Sequence, residues 1–241
     1  MKTLERLNNI QDTVNLDEWH KSNIKLHKER YLYASKYVRG KMVLDLACGI
    51  GYGSRILKEN GANHVLGIDV SEDAIKEASS IYEIDGIKFI KSDYRDLNLY
   101  HNKEQQFDIV VSLETIEHLD YPEDFIEKMY GIINKGGMFI CSVPITPSVD
   151  INIYHKHDFT KKSIFLLLKK KGYFIKEYFI QKHKYNPFLI KNVLKRSNRS
   201  DYRKNLIGYY FSHPGKLFSR IFTTLRYGFC NYYIVIVCVK E

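Results

Sequence analysis

Between Val43 and Ser54 the chain reads Val-Leu-Asp-Leu-Ala-Cys-Gly-Ile-Gly-Tyr-Gly-Ser. An apolar run ends in an acid, three glycines follow at alternate positions, and a helix-like segment begins. This pattern predicts a buried strand that stops at a tight turn and passes the chain to a helix. Glycine admits positive φ and leaves no β-carbon between backbone and ligand. The helix start presents N–H groups at the same place. The loop is therefore suited to a ligand held close against the main chain.

From residue 41 onward, apolar runs alternate with amphipathic ones. Strands are predicted over 41–47, 64–69, 87–91, 107–112, 138–143, 173–181 and 232–239. Helices are predicted over 52–60, after a Ser71 cap, from Pro122 through Ile133, and over 160–171. The stretch Asn134-Lys135-Gly136-Gly137 reads as the end of the Pro122 helix. Regular β–α alternation implies an α/β fold of Rossmann-like, doubly wound type. Its sheet is mostly parallel and seven-stranded, with helices on both faces. In such sheets ligands sit at the carboxyl ends of the strands, beside the switch in strand order. Asp45, Asp69, Asp93 and Ser112 all fall at such ends.

The pair formed by Asp45 with Gly49-Ile50-Gly51-Tyr52-Gly53, and by Gly67-Ile68-Asp69-Val70 at the next strand end, resembles motifs I and II of the class I S-adenosylmethionine-dependent methyltransferases. The resemblance runs from about residue 26 to 181, and the last strand fits it too. It implies a methyltransferase with S-adenosylmethionine as cofactor and S-adenosylhomocysteine as product. Gly49, Gly51 and Tyr52 are then expected at the methionine end, with Asp45 serving the ammonium directly or through water, and Ala47 and Cys48 are expected to bind cofactor beside them. Asp69 is expected at the ribose, Asp93 and Tyr94 at the adenine, and Val70 is expected to bind cofactor. Ser112 to Leu119 resembles the loop that flanks the transferable methyl. There Leu113 and Glu114 are expected to touch cofactor, and Glu117 and His118 to reach the acceptor. An acceptor hydroxyl needs a base, and histidine titrates near neutrality. His118 is the first candidate.

Two flanks, His27 to Ala34 and Asn152 to Thr160, resemble bacterial methyltransferases of surface-polysaccharide (sugar) biosynthesis. That likeness implies a helix covering the cofactor, with Arg30 and Tyr31 against it, and adds His155 and His157 as base candidates. It also implies O-methylation of a sugar or other small unit, carried as a nucleotide or phosphate derivative, in capsular or lipopolysaccharide synthesis. No metal ligand set is expected, because hard cations want several carboxylate oxygens and only Asp158 lies close to the 155–157 histidines in sequence.

The chain of 241 residues fits one domain: cap helices over 1–40, a cofactor-binding core over 41–181, a basic and aromatic subregion over 182–230, and a last strand over 231–241. Residues 182–230 hold eleven Lys or Arg and one acid, Asp201, with aromatics interleaved. They supply much of the net charge of +9 and are read as a lid or acceptor region for an anionic small molecule. Two other acceptors stay open. A nucleic-acid (RNA) chain would use the same charge and aromatics, although strand four does not continue into the Asp/Asn-Pro-Pro-Tyr/Phe of base methylation and no nucleic-acid partner is expected. A lipid or quinone would be reached with 182–230 on an anionic membrane surface. The four cysteines show neither metal spacing nor a disulfide framework. The N-terminus has no signal-peptide pattern, and the longest apolar run is too short to cross a bilayer. The expectation is a cytoplasmic enzyme.

Overall fold

A computed structural model of the chain describes residues 18–99, 107–148, 152, 154–184 and 206–241. Seven strands form one sheet: β1 (Met42–Leu46), β2 (His64–Asp69), β3 (Ile87–Lys91), β4 (Phe107–Leu113), β5 (Ile133–Pro144), β6 (Tyr173–Lys184) and β7 (Cys230–Lys240). Their spatial order is β3-β2-β1-β4-β5-β7-β6. The β1–β2, β1–β4, β2–β3 and β4–β5 pairs are parallel, and β7 runs antiparallel to both β5 and β6. The order reverses between β1 and β4, which opens a crevice at their carboxyl ends.

Alternate residues of the central strands feed two cores. Leu44, Ile68, Val110, Phe139 and Ile236 pack on one face, against Phe125, Met129 and Ile164. Val43, Val65, Ile109, Ile140 and Val237 pack on the other, against Leu57, Ala74 and Ala78. Both faces being covered explains why β4 and β7 read as continuous apolar runs. The covering helices are α1 (Glu18–Ala34), α2 (Tyr52–Glu59), α3 (Glu72–Tyr82), α4 (Pro122–Ile132) and α5 (Lys161–Lys170), followed by α6 (Leu206–Ser212) and α7 (Pro214–Tyr227). Ser71 caps α3 by accepting from the Ala74 amide at 3.3 Å, and Glu72 and Asp73 face the positive end of that helix. Thr160 and Ser163 form a capping box on α5.

One element differs from expectation. Asn134 to Gly137 does not close α4 but lies within β5, which starts at Ile133 opposite Phe107. Gly136 takes φ 74°, and the register shifts between Phe107 and Ile109. A left-handed glycine and an unpaired step of this kind make a bulge rather than a helix cap.

The β6–β7 connection carries α6 and α7. Because β7 is antiparallel, its start at Cys230–Tyr233 lies with Lys184 and Pro144 at the carboxyl edge of the sheet, so the connection emerges on the crevice side. Arg196, Arg199 and Arg203, which contribute to the expected acceptor region, lie outside the described residues.

Candidate active site

The chain leaves β1 through three left-handed residues, Ala47 at φ 64°, Gly49 at 56° and Gly51 at 85°. Ala47 carries a β-carbon in this region, which costs about 1 kcal/mol. The Cys48 amide donates to the Ile68 carbonyl at 3.0 Å, tying the loop to β2. A β-carbon at Gly49 would enter open space, so this glycine is required by its φ and leaves room at the loop surface. A β-carbon at Gly51 would meet Ala78 and Phe89 at 2.7 Å, so this glycine also serves helix packing. At Gly53 the obstacle is the Tyr31 ring, which lies directly on it.

Asp45 is 0% exposed. Its Oδ1 accepts from the Tyr31 hydroxyl at 3.0 Å and its Oδ2 from the Ser54 hydroxyl at 2.6 Å. Burial raises its carboxyl from 3.8 to about 6, partly offset by those two hydrogen bonds and reinforced by the nearby Asp69. Both Asp45 oxygens are thus engaged by buried hydroxyls. Tyr31, His27 and Tyr52 form a cluster of edge-on rings, and the His27 Nδ1 is bonded to the Tyr52 hydroxyl. Burial pushes the Tyr31, Tyr52 and Cys48 side chains well up, so all three stay neutral.

Asp69, at the end of β2, joins both neighbouring loops. Its Oδ2 accepts from the Gly49 amide at 3.0 Å and its Oδ1 from the Ser71 amide at 2.8 Å. A carboxylate oxygen can accept more than one hydrogen bond, the chemistry that two vicinal hydroxyls require. Val70 is exposed beside it. Asp93 follows β3 but is held by Arg95, whose Nε and Nη2 donate to its two oxygens at 2.8 Å each. Arg95 holds the Asp93 carboxyl below its usual range. An exocyclic amine would have to share or displace that partner. Tyr94 packs edge-on against Phe125, with ring centroids 5.1 Å apart.

After β4, Leu113 is buried and Glu114 takes φ 52°. The Glu114 amide donates to the Ser142 carbonyl at 3.2 Å, and the Ser142 hydroxyl donates to Glu114 Oε1 at 2.7 Å. Arg30 reaches the same carboxylate at 3.3 Å. Arg30 Nε also donates to Gln181 at 2.8 Å, and its guanidinium lies 4.2 Å over the Tyr233 ring. This buried arginine thus ties α1 to the carboxyl ends of β4 and β6 and to the start of the antiparallel β7. The pattern of the sequence does not single out Ser54, Ser142, Gln181 or Tyr233, because each acts through a partner far away in the chain.

The remaining candidates gather at and around a single 3-10 turn over Ile116–His118. Glu117 is 0% exposed. The His118 and His155 rings stand edge-on, 4.7 Å between centroids. His157 is separate: its Nε2 donates to the Leu119 carbonyl at 2.9 Å, and its amide to the Glu117 carbonyl at 3.3 Å. The structure therefore brings Glu117, His118 and His155 together and uses His157 to brace them.

Residues 44–141 match the family described as methyltransferase domain. A mitochondrial ubiquinone biosynthesis O-methyltransferase of Dictyostelium discoideum is 30% identical over 152 residues, 59% of this chain and 46% of that protein. The ubiquinone biosynthesis O-methyltransferase of Coxiella burnetii is 32% identical over 113 residues, 47% of each. The chain thus spans about half the length of these curated relatives. A Bacillus halodurans crystal structure described as a methyltransferase superposes with a TM-score of 0.69 at 17% identity, covering 88% of this chain and 98% of that one, which shows the shared fold. Over residues 44–141, which include Asp45, the glycine loop, Asp69, Asp93 and Glu117, the chain is similar to a methyltransferase domain.

Proposed function

We propose that this S-adenosylmethionine-dependent methyltransferase methylates a ring hydroxyl of a quinol- or phenol-type acceptor whose apolar tail lies in an anionic membrane surface. The observation that carries the reading is the exposed apolar face of the described part of the β6–β7 connection. Phe211 and Leu225 are 90% and 80% exposed, and Phe218, Ile221, Phe222 and Phe229 stand out beside them. Lys216, Arg220 and Arg226 share the same connection, and no acid occurs between Asp201 and Cys230. An apolar stripe bordered by cations suits a helix lying in the headgroup layer of anionic lipid. It emerges at the crevice edge of the sheet, where an acceptor has to arrive. The named activity of the curated relatives points the same way. Among the described residues no helix is long and apolar enough to cross a membrane, so contact would be interfacial.

S-adenosylmethionine, when bound, supplies an electrophilic methyl on a sulfonium. In this reading Asp69 takes the ribose hydroxyls, and the open face of Gly49 admits the methionine end. Asp45 holds the Tyr31 and Ser54 hydroxyls in place beside the glycine loop. Arg30 and Glu114 fix the floor between cofactor and acceptor, so that much of the rate comes from position. Glu117, His118 and His155 face the acceptor side and manage its proton. The expectation of a phosphorylated or nucleotide-linked sugar rests on charge that serves lipid headgroups equally well, and the curated relatives described here give it no support.

The test is transfer of labelled methyl to a polyprenyl-tailed catechol in phosphatidylglycerol vesicles, with co-sedimentation measured in parallel. The double variant Phe222→Ser, Leu225→Ser should lose vesicle binding and the tailed acceptor while keeping its cofactor affinity and melting temperature. Methyl transfer to sugar nucleotides with none to the catechol would overturn the reading.

A further inference from the structure

We infer that Gln181, on strand β6, is a positioning residue for cofactor binding: it sets the Arg30 guanidinium at the crevice, beyond its share in holding α1 to the sheet, and this rests on the expected contact of Arg30 with S-adenosylmethionine. Gln181 and Arg30 are 151 residues apart in the chain, so no local pattern marks the pair.

Gln181 and Tyr233 lie directly opposite each other in the antiparallel β6–β7 pair. Opposite residues of such a pair present their side chains on one face of the sheet. Here both grip the same arginine. Gln181 Oε1 accepts from Arg30 Nε at 2.8 Å, and the guanidinium lies 4.2 Å over the Tyr233 ring. Glu114 Oε1 lies 3.3 Å from Nη1. The ring fixes the height of the guanidinium plane. The amide oxygen and the carboxylate fix its rotation within that plane. The N–H donors of a guanidinium sit in a rigid fork, so holding Nε and Nη1 aims Nη2 as firmly. A guanidinium held in this way is prepared for a carboxylate, the anion at the methionine end of the cofactor.

The Gln181 amide fits only one way round. Its Nε2 donates to the Leu26 carbonyl at 3.1 Å and to Glu29 Oε2 at 3.0 Å, which leaves Oε1 to meet the Arg30 donor. The side chain is buried, so a partner lost here is not readily replaced by water. Helix α1 has further ties to β6, and they lie away from the arginine. The Tyr33 hydroxyl donates to Glu177 Oε1, as does that of Tyr37 just beyond the helix, and the Tyr33 ring stands 4.4 Å from that of Phe179. Ser22 Oγ lies 3.2 Å from His183 Nε2. Docking of the helix is therefore shared along the strand. Of these β6 residues, Gln181 is the one bonded to Arg30. That difference separates positioning from docking.

The experiment is calorimetric titration with S-adenosylmethionine, with a melting temperature for each variant. Gln181→Met keeps the length of the side chain and loses all three bonds. It should bind cofactor about tenfold more weakly, or worse. Gln181→Asn is too short to reach Arg30 and should show the same loss, which keeps the test open if the Met variant is unstable. Gln181→Glu keeps an acceptor for Arg30 Nε but turns an oxygen toward the Leu26 carbonyl and Glu29. It should melt lower yet bind cofactor within about threefold of wild type, as should Glu177→Ala, which removes the acceptor of both tyrosines. Wild-type affinity in Gln181→Met would overturn the assignment. So would equal losses of affinity in Gln181→Met and Gln181→Glu, or in Gln181→Met and Glu177→Ala, because docking of α1 would then account for everything. Absence of binding by wild type would instead contradict the cofactor reading itself, and the role of Gln181 would fall with it.

Discussion

Replacing Asp45 by Asn should change how stability depends on pH at one buried position. Asp45 is fully buried, and its carboxyl is raised from 3.8 to about 6, first by burial. A raised acid binds its proton more tightly in the folded state. The protonated form therefore contributes stability that is complete below pH 4 and is lost as pH rises through about 6. At about 1.4 kcal/mol for each tenfold change in proton affinity, the rise corresponds to about 3 kcal/mol, an upper bound once local relaxation is allowed. Asn has nearly the same shape. It still accepts from the Tyr31 hydroxyl, and the Ser54 hydroxyl can turn to accept from its amide. The variant should match or fall slightly below wild type at pH 4 and exceed it by up to about 3 kcal/mol at pH 7.5, in urea unfolding followed by circular dichroism. Parallel pH profiles for the two proteins would refute the assignment of this charge penalty to Asp45.

Two further substitutions probe the frame around the crevice. Gly67→Ala places a β-carbon 2.5 Å from the Phe89 ring and 3.0 Å from the Ser54 hydroxyl. Overpacking of this kind costs about 1–3 kcal/mol, so the melting temperature should fall, and an unchanged one would show that the ring moves freely. Arg30→Met removes the partner of Glu114 and Gln181 and should cost about 3 kcal/mol, the low end for a broken buried pair because Glu114 is partly exposed. A double-mutant cycle with Glu114→Gln measures how much of that loss is the pair itself, and strictly additive losses would refute a coupled Arg30–Glu114 unit.

The sheet was legible because buried parallel strands advertise themselves as apolar runs between glycines and caps. The strand boundaries at His64–Asp69 and Ile87–Lys91 coincide with the reading from sequence. Asn134 to Gly137 misled because local turn chemistry was outweighed by pairing of Ile133 with Phe107, a contact with no local signature. The same holds within the site. The pattern of Asp45 and its glycines placed the loop, but the lid of Tyr31 over Gly53 and Asp45 joins separate elements. Asp93 was legible as a strand-end acid, yet its pairing with Arg95 was not, since many such acids face solvent. The three histidines were visible as a group, and only packing separates His157 from His118 and His155.

Titration calorimetry of S-adenosylmethionine into wild type and Asp69→Ala tests the central claim most directly. The carboxylate that links the Gly49 amide to the start of α3 is the group expected to hold the ribose. The account predicts one saturable site in wild type and at least tenfold weaker binding in the variant, about 1.4 kcal/mol or more. Equal affinity in the two proteins, or no binding to wild type, would contradict it.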